Sequence, residues 1–211
     1  MIPYWMSRTQ LLLGDEPIQA LTKKHVLVVG LGGVGGICAE MIVRSGVGKI
    51  TIVDADTVDL SNANRQIPAL HSTAGKLKSE VMAERLKDIN PQLEIIFKSI
   101  YIKEELTQAL LDEAHYDYAV DCIDTLSPKV FFIKGCLDRN IPIVSSLGAG
   151  GKLDPSQVVI TDISKTYQCN LASYVRKKLH GLGVYKGLTV VFSAEKVDQS
   201  KIIETEKAYP K

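Results

Sequence analysis

The chain has 211 residues, enough for one good-sized domain and short for two. Hydrophobic residues make up 45% and charged residues 23%, a balance that excludes a disordered or collagen-like chain. The net charge of +1 hides an asymmetry: Met1 to Ile163 carries 16 Lys and Arg against 20 Asp and Glu (−4), and Ser164 to Lys211 carries 9 against 4 (+5).

The first 24 or so residues read as an N-terminal arm. From His25 onward strand and helix patterns alternate. His25 to Val29 is a short apolar run ending in glycines, as a buried parallel strand does. Val34 to Ser45 follows at helical spacing, then Lys49 to Asp54 as a strand and Lys78 to Asn90 as a helix stopped by Pro91. Leu93 to Phe97 reads as a strand, Glu104 to Asp112 as a helix, and Asp117 to Ile123 as a strand. Pro128 to Arg139 is a helix with proline near its start, and Ile141 to Ser146 a strand leading into Gly148-Ala149-Gly150-Gly151. Such alternation requires crossovers and predicts a doubly wound, mostly parallel α/β sheet of Rossmann type over residues 25–151. Beyond it, Val158 to Thr161 and Leu188 to Phe192 read as strands around a helix from Leu171 to His180. These predict an antiparallel extension of the same sheet over residues 152–211, within one domain, with a polar exposed tail from Glu195.

No apolar run approaches the ~20 residues of a membrane span, and no signal peptide is apparent, so the expected compartment is the cytoplasm. No two of Cys38, Cys122, Cys136 and Cys169 have C-x-x-C spacing, which removes a zinc ribbon and a thioredoxin-type pair. The first three sit in apolar segments and read as small core residues. Cys169 alone has polar neighbours, and its role stays open.

The chemistry concentrates at strand ends. Gly30-Leu31-Gly32-Gly33-Val34-Gly35 satisfies G-x-G-x-x-G between a strand and a helix, where backbone N–H groups can cradle a phosphate. Asp54 closes the second strand, placed to accept from ribose hydroxyls. These two features fit NAD and ATP equally. The crossover from Asp54 through Asp56, Asn62 and Arg65 to Gln66 is unusually polar, and Lys78 opens the next helix. Expulsion of pyrophosphate needs such cations, because negative charge builds on the leaving phosphates. Asp121-Cys122-Ile123-Asp124 lies at the end of a later strand, where a carboxylate beside a triphosphate would hold Mg²⁺. From Ile163 to Ala194 no acidic residue occurs, while Lys165, Arg176, Lys177, Lys178 and Lys186 do. This stretch is either a polyanion contact or a solvated helix face.

The series GxGGxG, D-x-D-x-V, S-N-x-N-R-Q, K-x-K and D-x-x-D resembles the ubiquitin-activating-type adenylating enzymes, over about Ser7 to Ile163. The resemblance implies ATP as cosubstrate. Gly30, Gly32, Gly33, Gly35 and Asp54 would hold adenosine and ribose, Asn62, Arg65 and Lys78 the phosphates, and Asp124 the Mg²⁺. It also implies a homodimer in which Arg8 reaches into the partner's site. One departure is Asp124-Thr125, where the family has Asp-Asn. A narrower likeness lies in Ser127-Pro128-Lys129, Gly148 to Ser156, Thr161 to Thr166 and Val191 to Glu195. It points to the branch that cyclises a threonylcarbamoyl group on the tRNA adenosine beside the anticodon, with tRNA as substrate and a sulfur-transfer protein as a possible partner. That branch continues with a further apolar segment, so part of its interface or substrate site is expected to lie outside this sequence. Three rivals remain open: activation of a ubiquitin-like sulfur carrier, an NAD oxidoreductase, and a non-catalytic nucleotide sensor.

Overall fold

The computed structural model describes residues 2–197. The chain forms two compact units, divided between Ser146 and Leu147. The break falls earlier than the expected one after Gly151. The glycine-rich segment 148–151 belongs to the second unit, whose own elements hold it: Leu147 N–H donates to the Val191 carbonyl at 2.9 Å, and Gly148 packs against Leu171.

The first unit contains five parallel strands: β1 (His25–Val29), β2 (Lys49–Val53), β3 (Glu94–Lys98), β4 (Tyr118–Asp121) and β5 (Ile143–Ser146). Their order is β3-β2-β1-β4-β5. The central strand β1 is buried throughout, so its His-Val-Leu-Val-Val run needs no polar face. The helices are α1 (Ser7–Leu13), α2 (Asp15–Leu21), α3 (Gly35–Arg44), α4 (Lys78–Ile89), α5 (Glu104–Asp112) and α6 (Leu126–Asp138). Helices α3 and α4 pack together, as do α5 and α6. Right-handed crossovers put these pairs on opposite faces of the sheet. The main core joins Val28, Ile50 and Ile52 to Val43, Met82 and Leu86. Each such fully buried aliphatic side chain contributes about 1.5–3 kcal/mol.

The arm holds two helices where the sequence pattern shows none. Both are short, and α1 has no buried face of its own, so helical periodicity could not mark it. Met6 and Ile18 anchor the arm. Met6 lies against Gly46, between α3 and β2, and Gly48 N–H donates to the Leu21 carbonyl at 3.3 Å. The arm therefore sits at the N-terminal edge of the strands.

The second unit contains the antiparallel pair β6 (Val158–Asp162) and β7 (Thr189–Ser193), with α7 (Asn170–Gly181) between them in sequence. Strand directions agree with the expected class: a doubly wound parallel sheet followed by an antiparallel pair. Element bounds move by at most two residues. Glu195 does not belong to a free tail, since its carboxylate accepts from the Leu153 and Asp154 N–H groups at 2.8 and 2.9 Å. The rest of the expected tail, residues 198–211, lies outside the described residues.

Helices α3 and α4 are clamped by Glu40, which is buried and accepts from Arg44 Nε at 2.8 Å and Arg85 Nε at 2.6 Å. Arg85 first, and Arg44 with it, hold this carboxyl below the usual range. A depressed pKa adds stability that is present above the unfolded value, about 4.3, and is lost as pH falls through the folded value. Glu40→Gln should cost about 1–2 kcal/mol at pH 7. In urea titrations the gap between parent and variant should close on acidification below about pH 4. A gap that persisted at pH 2 would contradict the ion-pair account.

Candidate active site

Strand order reverses between β1 and β4, since β2 and β3 lie on one side of β1 and β5 lies beyond β4. Sheets of this kind bind ligands in the crevice at the carboxyl ends of the diverging strands. The glycine loop leaves β1 there. Gly30 has φ +89, and a Cβ on it would stand 2.6 Å from the Cys122 carbonyl oxygen. A Cβ at Gly35 would overlap the Gly30 carbonyl. Glycine is needed at both positions for the loop to turn tightly against the end of β4.

Asp54 fixes this loop to the crossover. Its Oδ2 accepts from Leu31 N–H at 2.6 Å, and its Oδ1 accepts from Asp56 N–H at 2.8 Å. Burial pushes the Asp54 carboxyl up, opposed by these two donors and the Lys78 charge. Each oxygen keeps a second lone pair for a ribose hydroxyl. Lys78, 5% exposed, donates to Asp56 Oδ2 at 2.9 Å, and its own N–H donates to the Asp56 carbonyl at 3.0 Å. Lys78 is the first residue of α4. A cation at a helix N-terminus opposes the helix dipole, so an anion must repay its placement. Asp56 supplies one negative charge.

The polar crossover folds back onto the glycines. Side-chain carbons of Arg65 come within 3.5 Å of the Cβ position of Gly33, and Gln66 Nε2 within 3.7 Å of that of Gly32. The Arg65 guanidinium is exposed and donates to the Asn64 side chain at 2.8 Å and the Ser61 carbonyl at 3.2 Å. Asn62 ends a 3-10 turn and its Oδ1 accepts from Asp59 N–H at 3.4 Å, a loose contact. Gln66 Oε1 is buried with no partner among the described residues.

The two carboxylates of Asp121-x-x-Asp124 divide their work. Asp121 is fully buried, paired with Lys129 Nζ at 2.8 Å and accepting from Ser145 Oγ at 2.6 Å. Lys129 also donates to the Ile123 carbonyl at 2.7 Å, and Ile123 N–H donates to Asp121 Oδ1 at 3.0 Å. This ion pair shapes the turn that presents Asp124, which is exposed and makes no side-chain bond among the described residues. In the sequence Lys129 reads as one member of a short motif, not as a buried ion. A lysine inside an apolar helix run is the signal that could have marked it.

Contacts thus connect Leu31, Asp54, Asp56 and Lys78 in one chain, Gly33 to Arg65, and Gly30 to the loop bearing Asp124. Arg8 is exposed on α1, two residues past Met6, at the opposite edge of the strands. Among the described residues it makes no hydrogen bond or ion pair to the others. Asp124 fits Mg²⁺, an ion bound through one or two carboxylates and the substrate's own phosphates. Among the described residues no group of three or more His, Cys, Asp and Glu converges as an all-protein metal cage would. In the second unit Arg176 Nη1 donates to the Thr166 carbonyl at 2.7 Å. Arg176 is therefore engaged in packing, and the expected basic face narrows to the exposed lysines. Cys169 is 7% exposed at the N-cap of α7, not in the polar setting its neighbours suggested. Cys136 is fully buried as expected, whereas Cys38 and Cys122 are half-buried.

A glycine loop at the switch point of the sheet, with Lys78, Arg65 and the exposed Asp124 on the adjoining loops, defines a nucleotide-binding α/β protein. The chain belongs to the ThiF family, whose match spans residues 6–194. It is 44% identical over 189 residues to the tRNA threonylcarbamoyladenosine dehydratase of Bacillus subtilis, covering 90% of this chain and 74% of that protein. The Escherichia coli enzyme of the same name is 39% identical, with 90% and 75% covered. The crystal structure of the E. coli tRNA N6-threonylcarbamoyladenosine dehydratase, TcdA, in complex with ATP superposes with a TM-score of 0.88 at 38% identity. That match covers 92% of this chain and 82% of that one.

The buried Asp121–Lys129 pair yields a stability prediction. Lys129→Ala leaves an uncompensated buried carboxylate and should cost about 3–5 kcal/mol. The double variant Asp121→Asn, Lys129→Met removes both charges and should recover most of that loss in urea melts. Equal costs for the single and double variants would contradict the account in which an uncompensated buried charge dominates the loss.

Proposed function

We propose that this protein uses ATP to adenylate the carboxylate of a threonylcarbamoyl group on a tRNA adenosine and then drives its dehydrative cyclisation. The observation that carries this reading is the placement of Lys78 and Arg65 beside the glycine loop, with Asp124 on the adjoining turn. An NAD site would leave these three side chains without work.

A carboxylate is a poor electrophile because oxide is a poor leaving group. Attack of its oxygen on the α-phosphorus of ATP forms an acyl-adenylate while the bond to the β-phosphate oxygen breaks and pyrophosphate departs. A nucleophilic atom of the tethered carbamoyl group then attacks the acyl carbon and sheds its proton, the ring closes, and AMP leaves. Tethering makes the second step intramolecular, so no protein thiol is required. The glycine loop and Asp54 would bind adenosine and ribose. Asn62, Arg65 and Lys78 would bind the phosphates, with Asp56 yielding Lys78 to the incoming anion. Asp124 would hold Mg²⁺, which supplies charge neutralisation at the leaving phosphates.

The reading includes a homodimer in which Arg8 serves the partner's site. Two features support it. Val34, Ile37 and Met41 leave an exposed apolar stripe on α3, and Leu11 and Leu12 are about 80% exposed one turn beyond Arg8. Isolated surface apolar residues are ordinary, but stripes of this kind mark interfaces. The chemistry of the two steps needs no sulfur donor, so a sulfur-transfer protein would act outside them. Among the described residues no helix is long and apolar enough to cross a membrane, in keeping with work on tRNA in the cytoplasm.

ATP–pyrophosphate exchange tests this directly. Threonylcarbamoylated tRNA should support exchange, and ubiquitin-like carrier proteins should not. Asp124→Asn and Lys78→Ala should each lower exchange by at least about 100-fold while the protein stays folded. Mixing Arg8→Ala with Lys78→Ala should restore part of the activity, since some mixed dimers hold one complete site. Absence of rescue under verified subunit exchange would remove Arg8 from the partner's site.

A further inference from the structure

The second unit carries a surface that the adenylation chemistry does not use. Helix α7 buries Ala172, Val175 and Leu179 and turns Tyr174, Lys177 and Lys178 outward. Tyr174 is 60% exposed. At the end of the helix, exposed Tyr185 leans on the His180 ring, with centroids 5.1 Å apart, and exposed Lys186 comes next in the chain. No acidic residue occurs from Ile163 to Ala194, and among the described residues Lys177, Lys178 and Lys186 make no salt bridge. The Asp162 carboxylate accepts from Gly187 N–H at 2.6 Å, beside Lys186. Six residues of helix separate Tyr174 from His180, about 9 Å along the axis and about 120° around it, so the two rings lie on adjoining flanks of the helix with Lys177 between them.

A solvated basic helix face would not need tyrosine. Exposed rings among lysines suit a ligand with a charged backbone and flat apolar faces. Unpaired nucleotides have both, and stacking on an aromatic ring tolerates any base. Duplex RNA offers phosphates but keeps its base faces occupied.

We propose that Tyr174 and Tyr185, flanked by Lys177, Lys178 and Lys186, form a stacking platform for unpaired nucleotides of an RNA loop. The proposal rests on the tRNA reading and names the part of the RNA that this surface grips. The lysines hold phosphates, and the tyrosines select loop over stem.

Two RNA probes separate these roles: a 5′-labelled anticodon stem-loop without modification, and a fully paired duplex of equal length. Binding of the full chain to each is measured between about 50 and 200 mM salt. Tyr174→Ala and Tyr185→Ala should each weaken stem-loop binding about tenfold. Neither should change duplex binding or the salt slope. Tyr174→Phe and Tyr185→Phe should bind like the parent, since the ring is retained. Lys177→Ala with Lys178→Ala should weaken both RNAs and lower the salt slope by up to about two. ATP affinity and melting temperature should be unaltered in the tyrosine variants, which report on folding. If the parent binds the stem-loop and the alanine variants bind equally well, the platform is wrong and the tRNA reading stands. Equal losses on stem-loop and duplex also overturn the platform. If the parent binds neither RNA at low salt, the tRNA reading and the platform fall together.

Discussion

The Asp54 carboxylate is the joint on which the site depends. One oxygen holds the glycine loop through Leu31 N–H, and the other holds the crossover through Asp56 N–H. Without these bonds the loop after β1 and the segment after β2 would be separate excursions from adjacent strands. With them, Asp56 is placed to engage Lys78. Burial raises the Asp54 carboxyl, so keeping it ionised has a cost that the two backbone donors offset. The main-chain amides satisfied by this residue would otherwise lack protein partners. A single side chain therefore resolves two unmet donors and sets the spacing of the nucleotide pocket.

The surrounding electrostatics are tuned for a ligand more highly charged than any group present. Lys78 sits where the α4 dipole disfavours a cation; the exposed Asp56 carboxylate is its ion-pair partner among the described residues, and Asp54 adds a nearby charge. Arg65 spends its fork on neutral acceptors. Gln66 keeps a buried oxygen without a donor. A polyphosphate would relieve the two cations, whereas the Gln66 oxygen needs a donor, which a phosphate does not supply. By contrast, the Asp121–Lys129 pair just behind is fully satisfied. Rigidity behind and unmet charge in front is what preorganised transition-state stabilisation requires.

Much of this is legible in the sequence because strand-end chemistry is local. The G-x-G-x-x-G run, the Asp after β2 and the D-x-x-D after β4 each announce their place by coming directly after an apolar run. The joining of Asp54 to Leu31, and of Arg65 to Gly33, depends on how loops fold back, which spacing alone does not encode. Asp121 and Lys129 illustrate the limit: eight residues apart, they look like a ligand carboxylate and a helix-surface lysine, and burial makes them partners. Arg176 misleads in the opposite direction. Its charge suggests a phosphate contact, but its position on α7 turns it toward Thr166. The helices of the arm stay hidden because their contacts, through Met6 and Ile18, are with distant residues instead of along their own faces.

The nucleotide crevice by itself cannot choose which carboxylate is activated, since any acyl group offered to the α-phosphate would meet the same cations. Selection has to come from surface that engages the rest of the substrate. The cysteines bear on how the activated acyl group is consumed. Burial pushes the Cys136 thiol up to about 12, and the neighbouring Cys38 thiol together with burial raises Cys122. Cys169 is buried against the Gly148 carbonyl. A transfer route through an enzyme thioester needs an accessible thiolate, and these three thiols do not present one. The half-buried Cys38, whose pKa Cys122 lowers, is the thiol such a route would have to use. A substrate that carries its own nucleophile removes that need, and its binding energy can be spent on position instead. Position, for a loop nucleotide held at its flanking bases and phosphates, is what a basic and aromatic helix face supplies.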